Sequence, residues 1–390
     1  MSSEAPHPQH NGQRPSLASA RWVIALSIAV SLGVALFALW GPLHGVQAPI
    51  GDGRDPATYG FDLSNLNVPR ELLVGSGQPR DFLKPLDDPK TIAGSEVAPR
   101  NAAERQKYAV STDRVVGVII GGEKRAYPLQ LLNVHEVVHD TIGGVPIAVT
   151  YSPLCDSAVV FDRRVAGRTL RFGISGLLLN NNLVMYDASP DSVGLESFQP
   201  SLWSQLAFRA IAGPAASENA RLTVVAGTQV CTWAAWLLLH PDTTLALPAD
   251  GDRRRMKGTD YERYWIEGKA QFPVGTIPLQ SPSERSVPFI EIAPTVAPLL
   301  AQGLGDMALV IAVQRADGWR VLPIAQLVQL VDPNLMTADS AALGVRANWR
   351  VVPQRGALIA GLEQHPDLPV MVPCRWFAWQ AFHPFAPSAP

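Results

Sequence analysis

The 390-residue sequence predicts an α+β fold, β-rich with short helices, made of two unequal repeats of one unit and preceded by an N-terminal transmembrane helix. Three observations carry that reading. First, 34 prolines and 31 glycines break the chain into short apolar runs, as many short strands and turns require. Second, the pattern C-x-W-x-A-W-x-x-x-H-P occurs twice. Third, residues 22–40, WVIALSIAVSLGVALFALW, are uncharged, and a helix needs about twenty such residues to cross a bilayer.

The N-terminus follows membrane rules. Arg14 and Arg21 precede the apolar stretch, so the positive-inside rule keeps residues 1–21 in the cytoplasm. The reading is an uncleaved signal anchor at 22–40. The protein is then single-pass in the cytoplasmic (inner) membrane, with its C-terminal domain extracytoplasmic. The alternative is a cleaved signal peptide. Its best site, Val46-Gln47-Ala48, is followed by Pro49, which signal peptidases handle poorly. Residues 41–105, rich in Pro, Gly and Asp, read as an extracytoplasmic spacer.

The first copy spans 106–250. RVVGVIIGGEKRAYPLQLL reads as a strand, a Gly-Gly turn, a second strand and a helix opened by Pro128. VPIAVTY (145–151) reads as a buried strand. A hairpin turns at Ala166-Gly167, and 180–187 is a strand with a polar lead-in. Thr232 caps a helix that ends at His240-Pro241.

The second copy spans 251–390. Cys231, Trp233, Ala235, Trp236, His240 and Pro241 match Cys374, Trp376, Ala378, Trp379, His383 and Pro384. A weaker echo pairs RAYPLQLL with WRVLPIAQL. These matches predict an internal duplication. Pro128 and Cys231 stand about twice as far apart as Pro323 and Cys374. The second copy therefore lacks the part that holds Cys155 and reads as structural. Trp pairs at i, i+3 on a helix read as core.

HEVVHDTIGG (135–144) contains H-E-x-x-H. On one helix, His135 and His139 would share a face and a zinc ion, with Glu136 as general base. A zinc protease also needs a third ligand. Glu196 is available, but in a Ser/Gly/Pro-rich loop. A wider constellation is His135, Glu136, His139, Asp140, Ser152, Cys155 and Asp156. Thiolate and imidazole suit copper, zinc or a Cys–His nucleophilic pair. The plainer reading is a satisfied core histidine and a buried thiol. Only three cysteines exist, Cys155, Cys231 and Cys374, so in an oxidising compartment at least one thiol stays unpaired in the monomer. Asn180, Asn181, Asn182, Tyr186, Asp187 and Trp203 read either as the lining of a polar pocket or as ordinary turn and core residues.

The run RAYPLQLLNVHEVVHDTIGGVPIAVTYSPLCDSAVVFDR, with TLRFGISGLLLNNNLVMYD, SLWSQL and TWAAWLLLHPDT, resembles the bacterial and archaeal family called domain of unknown function 3179. The resemblance covers 110–250 and, more weakly, 305–385. It implies H-E-x-V-N-D on the helix and Y-C-P-L-C on the loop, onto which His135, Glu136, Asp140 and Cys155 map. Ser152 stands where the family has the first Cys, which weakens a C-x-x-C redox or dithiolate site. His139 stands where it has Asn, so H-E-x-x-H is a local variant of a motif that is not a protease motif.

Four functions follow as expectations. The leading one is metal binding, copper or zinc on His135, His139 and Cys155, with Met185 as a further thioether. The second is a thiol-dependent enzyme using Cys155 with His135 and Asp156. The third is a non-catalytic scaffold or interaction protein. The fourth is the zinc protease. Glu136 is expected to orient a neighbouring loop or ligand rather than activate water. The expected partners are the membrane, through 22–40, and a metal ion. A net charge of −2 implies no nucleic acid.

Overall fold

The structure, a computed structural model, describes residues 17–43, 49–104, 107–188, 198–249, 251–252, 256, 261–288, 304–325, 337–338, 348–352, 357–361 and 370–385. It divides into two compact units, 1–49 and 50–390. The 250/251 repeat boundary therefore lies inside one unit.

The first unit holds one 27-residue helix, Leu17–Leu43. Apolar residues surround it, and Trp22, Ile24, Leu26, Leu36 and Phe37 are all largely exposed. A helix that is apolar all round has no core-facing stripe of its own. Among the described residues no helix is long and apolar enough to cross a membrane. The described side chains of Leu17–Leu43 run from 21 to 37.

The second unit begins at Ile50, and this corrects the spacer reading of 41–105. Tyr59 is fully buried, and three short strands follow: β1 (Leu73–Gly75), β2 (Leu86–Asp87) and β3 (Thr91–Ala93). Next come β4 (Arg114–Ile120), β5 (Glu123–Pro128), the helix Leu129–His135, β6 (Val137–Ile142), β7 (Val145–Ser152) and β8 (Ser157–Asp162). A small hairpin of β9 (Arg164–Val165) and β10 (Arg168–Thr169) leads to β11 (Phe172–Leu179), β12 (Asn182–Asp187), β13 (Leu202–Ser204) and β14 (Arg209–Ala212). β15 (Thr223–Val224), β16 (Gln229–Thr232), the helix Trp233–Leu239 and β17 (Thr244–Ala246) complete the first half. The second half has the helix Glu262–Glu267, β18 (Ser286–Pro288), β19 (Leu309–Arg315), β20 (Gly318–Pro323), β21 (Thr337–Ala338), β22 (Asn348–Val352), β23 (Ala357–Gly361), β24 (Met371–Arg375) and the helix Trp376–Phe382.

Among the described residues the large sheets have the orders β1-β11-β12-β13-β14, β15-β8-β7-β6-β2, β16-β4-β5-β17-β3 and β18-β20-β19-β24. Each of β1, β2 and β3 extends a different sheet. The "spacer" thus ties three sheets together. Its weak periodicity concealed this, because two- and three-residue edge strands are too short to show alternation.

Tight turns set the registers. Gly121-Gly122, Gly143-Gly144, Ala166-Gly167 and Asn180-Asn181 all have positive φ at both positions. That is the two-residue hairpin turn whose twist matches the strands. At Gly143 a Cβ would strike the Ile120 carbonyl, so the two neighbouring hairpin turns pack backbone to backbone.

The two C-x-W-x-A-W-x-x-x-H-P segments have the same local structure. Cys231 pairs with Val115 and Cys374 with Val310, each on the strand before a helix. Trp233 N–H donates to Asp113 O at 2.7 Å, and Trp376 N–H to Ala308 O at 2.8 Å. The indoles of Trp236 and Trp379 donate to Thr243 Oγ1 and Ser286 Oγ, both at 2.8 Å. His240 and His383 end their helices at φ −132 and lie against those indoles with ring centroids 4.2 Å apart, His383 stacked and His240 tilted by 55°. All three cysteines are free and buried.

Trp236 lies against Gly117 of β4, where any Cβ would collide with the indole ring. Gly117→Ala should therefore destabilise the protein by about 1–3 kcal/mol, the usual range for overpacking, read as a lower urea midpoint at unchanged slope.

Candidate functional site

The helix that starts after Pro128 ends at His135. Glu136 adopts left-handed φ 57 and donates its N–H to Leu132 O at 2.7 Å, closing the helix. The β-branched pair Val137-Val138 then enters β6, paired with β7. His139 therefore stands on a strand. This corrects the one-helix geometry of H-E-x-x-H and removes the zinc protease arrangement. Glu196 lies outside the described residues.

The two histidines bond to different partners. His135 Nδ1 meets Lys84 O at 2.7 Å, and its Nε2 lies 3.0 Å from Asp252 Oδ2, out of line for a hydrogen bond. His139 Nε2 accepts the Phe172 N–H at 3.0 Å. Its proton is then on Nδ1, which donates to Asp87 Oδ1 at 2.6 Å. Burial lowers the His139 pKa. The His139 contact and Arg171, 2.7 Å away, hold the Asp87 carboxyl well below the usual range.

Cys155 has no exposed surface. Its Sγ donates to Asn181 O at 3.2 Å, with Asn180 O at 3.8 Å. Burial pushes its thiol far up, so it is a neutral thiol. Among the described residues no group of three His, Cys, Asp or Glu side chains is placed to hold a metal ion. The expected set of His135, His139 and Cys155 is not gathered. No hydrogen bond joins His135 to Cys155. Met185 is fully buried in β12, opposite Trp203 of β13.

The asparagines act as clamps. Asn180 exchanges two hydrogen bonds with the Gly275 backbone, at 2.8 and 2.9 Å, and Asn181 does the same with Phe272. Asn182 bonds Gln205 Oε1 at 2.8 Å and Ser157 Oγ at 3.1 Å. Ser152, in the place of the family cysteine, accepts the Leu183 N–H at 3.1 Å. Tyr186 donates to Asp81, Asp187 accepts the Ser201 N–H, and Trp203 is buried against Phe172. Tyr186 and Asp187 sit at the far end of β12 from the Asn180-Asn181 turn, about 15–20 Å along the strand, with Trp203 opposite Met185 on neighbouring β13. The expected pocket lining is therefore split between two ends of one strand.

Asp156 is the best-connected of the expected site residues. Its side chain is fully buried at left-handed φ 46. It accepts from Tyr151 OH at 2.8 Å, Arg114 Nη1 at 3.0 Å and Arg375 Nη2 at 2.8 Å. Asp140 is likewise held, by Arg125 at 2.6 Å and Tyr127 OH at 2.7 Å. Sequence reasoning missed Arg114, Arg375 and Tyr151. One signal was present: Arg375 stands where the first copy has Thr232, a charge inserted between the repeated Cys and Trp.

The family model described as "Protein of unknown function (DUF3179)" matches residues 92–386. The chain belongs to the DUF3179 family. No curated protein and no solved structure matches it. The matched span of this DUF3179 protein begins in β3 and ends beyond the helix Trp376–Phe382, so it takes in both C-x-W segments.

Glu136 and His139 give this chain opposite pH dependences. Burial raises the partly buried Glu136 carboxyl from 4.5 to about 8. Folded Glu136 holds its proton more tightly, so its contribution is full below pH 4.5 and is lost as pH rises to about 8. The depressed His139 pKa acts the other way: its contribution is full above 6.5 and is lost as pH falls below that value. Urea midpoints measured from about pH 4 to about pH 9 should fall at both ends. Glu136→Gln should flatten the alkaline side and His139→Asn the acid side.

Proposed function

We propose that this DUF3179 protein is a membrane-anchored, extracytoplasmic scaffold or interaction protein in which Cys155 is structural. The observation that carries this reading is the Cys155 thiol, fully buried and donating to Asn181 O at 3.2 Å. A nucleophile or metal ligand must be a thiolate that a reactant can reach. Around it, Ser152, Asn180, Asn181 and Asn182 give their polar atoms to the hydrogen bonds of neighbouring segments. The residues that read as chemistry in the sequence act as fasteners.

The anchor is part of the proposal. Its support is the 27-residue helix with apolar side chains exposed on every side and Arg21 ahead of them. The internal duplication is also proposed, supported by the matched registers, indole hydrogen bonds and helix-ending histidines of the two C-x-W segments. It makes the second half a structural partner of the first.

Thiol labelling and elemental analysis of the full chain in detergent test the scaffold reading. All three cysteines should resist a maleimide until the protein is unfolded, and Cys155→Ser should fold with modest loss. The idea fails if stoichiometric copper or zinc is bound and disappears in both Cys155→Ala and His135→Ala. That result restores the metal reading.

Topology is tested separately. A reporter fused after Pro390 should be active outside the cytoplasm and should sediment with membranes. Recovery of a shortened soluble form would defeat the anchor.

A further inference from the structure

We infer that Arg114 and Arg375 form a binding site for a small oxyanion, a carboxylate or phosphate group, that docks on the unpaired edge of Arg114 beside the Trp265 ring. The site goes beyond the scaffold reading and does not depend on it.

Charge is the first argument. Two guanidinium groups converge on one carboxylate. The side chains of Arg114 and Arg375 are only 14% and 15% exposed, and Asp156 is 0% exposed. The fourth member, Tyr151, donates its O–H to Asp156, and burial raises its pKa well above the usual phenol value, so it stays neutral. The cluster carries a net charge of one positive unit. Among the described residues, Asp156 is the one carboxylate paired with either arginine. A poorly hydrated positive charge without a counter-charge is costly, and an anion would neutralise it.

Hydrogen-bond geometry is the second argument. Arg114 reaches both Asp156 oxygens through Nη1 alone, at 3.0 and 3.2 Å. Its Nε is buried without a partner, and no described residue accepts from Nη2. Nε and Nη2 form the side-on edge of a guanidinium, the fork that matches two oxygens of a carboxylate or phosphate. Arg375 gives Nη2 to Asp156 at 2.8 Å and Nη1 to Met307 O at 2.7 Å. Its Nε, too, is buried and unpartnered. The unpartnered donors are therefore a fork on one arginine and a single N–H on the other.

The cover is the third argument. Trp265 stands 4.6 Å from the Arg375 guanidinium and 5.9 Å from that of Arg114, and its indole donates to Pro153 O at 3.0 Å. Its helix, Glu262–Glu267, contributes no buried residue and ends at Gly268 in the left-handed conformation. Tyr264 packs this helix against the core, while Trp265 stays half-buried over the arginines, so the indole is the group a ligand would displace from the Nε groups. Cation–π contact is the weaker partner for a guanidinium, and a charge-assisted fork is the stronger.

Isothermal titration of inorganic phosphate, and separately of malonate, into the full chain in detergent tests the site. At least one should bind saturably at millimolar concentration or below, and added sodium chloride should weaken it. Which of the two binds tells phosphate from carboxylate. Tryptophan emission should change on binding, and that change should vanish in Trp265→Phe while the heat remains. Arg114→Lys keeps the charge beside Asp156 but lacks the fork, so affinity should drop at least tenfold with little change in ligand-free melting temperature. If Arg114→Lys does not fold, the Trp265→Phe comparison decides alone. The inference is overturned if neither anion binds, if binding is indifferent to both Arg114→Lys and Arg375→Lys, or if the emission change survives in Trp265→Phe.

Discussion

A carboxylate side chain with no exposed surface joins the two halves of the folded chain. Asp156 follows the Cys155 turn, Arg114 opens β4 in the first half, and Arg375 closes β24 in the second. Breaking a buried ion pair by removing one partner typically costs about 3–5 kcal/mol, because a charge is left without solvent or counter-ion. The position of the second half is therefore coupled to the loop after β7. That loop in turn fixes Cys155 on the Asn180-Asn181 turn. Arg114 and Tyr151 hold Asp156 from the first half and Arg375 adds a contact from the second, within the one compact unit 50–390.

The neighbouring asparagines extend the same logic to the backbone. Asn180 and Asn181 occupy the two left-handed positions of a hairpin turn, which Asn tolerates better than most residues. Their side chains then behave as short pieces of strand toward Gly275 and Phe272. The segment so held also reaches the last helix, through Ile277 N–H to Ala381 O at 2.7 Å. Polar residues in this core serve junctions between segments, because a buried backbone amide in an irregular stretch needs a side-chain partner.

Much of the fold was legible. The Gly-Gly turns, the strands around them, the helix opened after Pro128 and the paired C-x-W segments are local patterns, and local patterns survive folding. The strands within 50–93 were not legible, since two or three residues at a sheet edge have no period to detect. The helix end at His135 was also missed. Glu136 adopts a left-handed conformation that nothing in its residue type demands, and the β-branched pair after it overrides the H-E-x-x-H pattern. The candidate site was legible as residues but not as roles. Cys155 and Asp156 stood out by residue type, but their partners, Asn181 O for the thiol and Arg114 and Arg375 for the carboxylate, lie far away in the sequence.

The sequence by itself determined the family, the β-rich α+β class and the places where the chain turns. These rest on short-range rules: periodicity, turn chemistry and the motif run from 110 to 250. Tertiary structure alone decided which side chains meet. Arg375 lies more than two hundred positions from Asp156, and no local rule links them. Their pairing follows from the requirement that a buried charge find a counter-charge, and that requirement acts in space rather than along the chain.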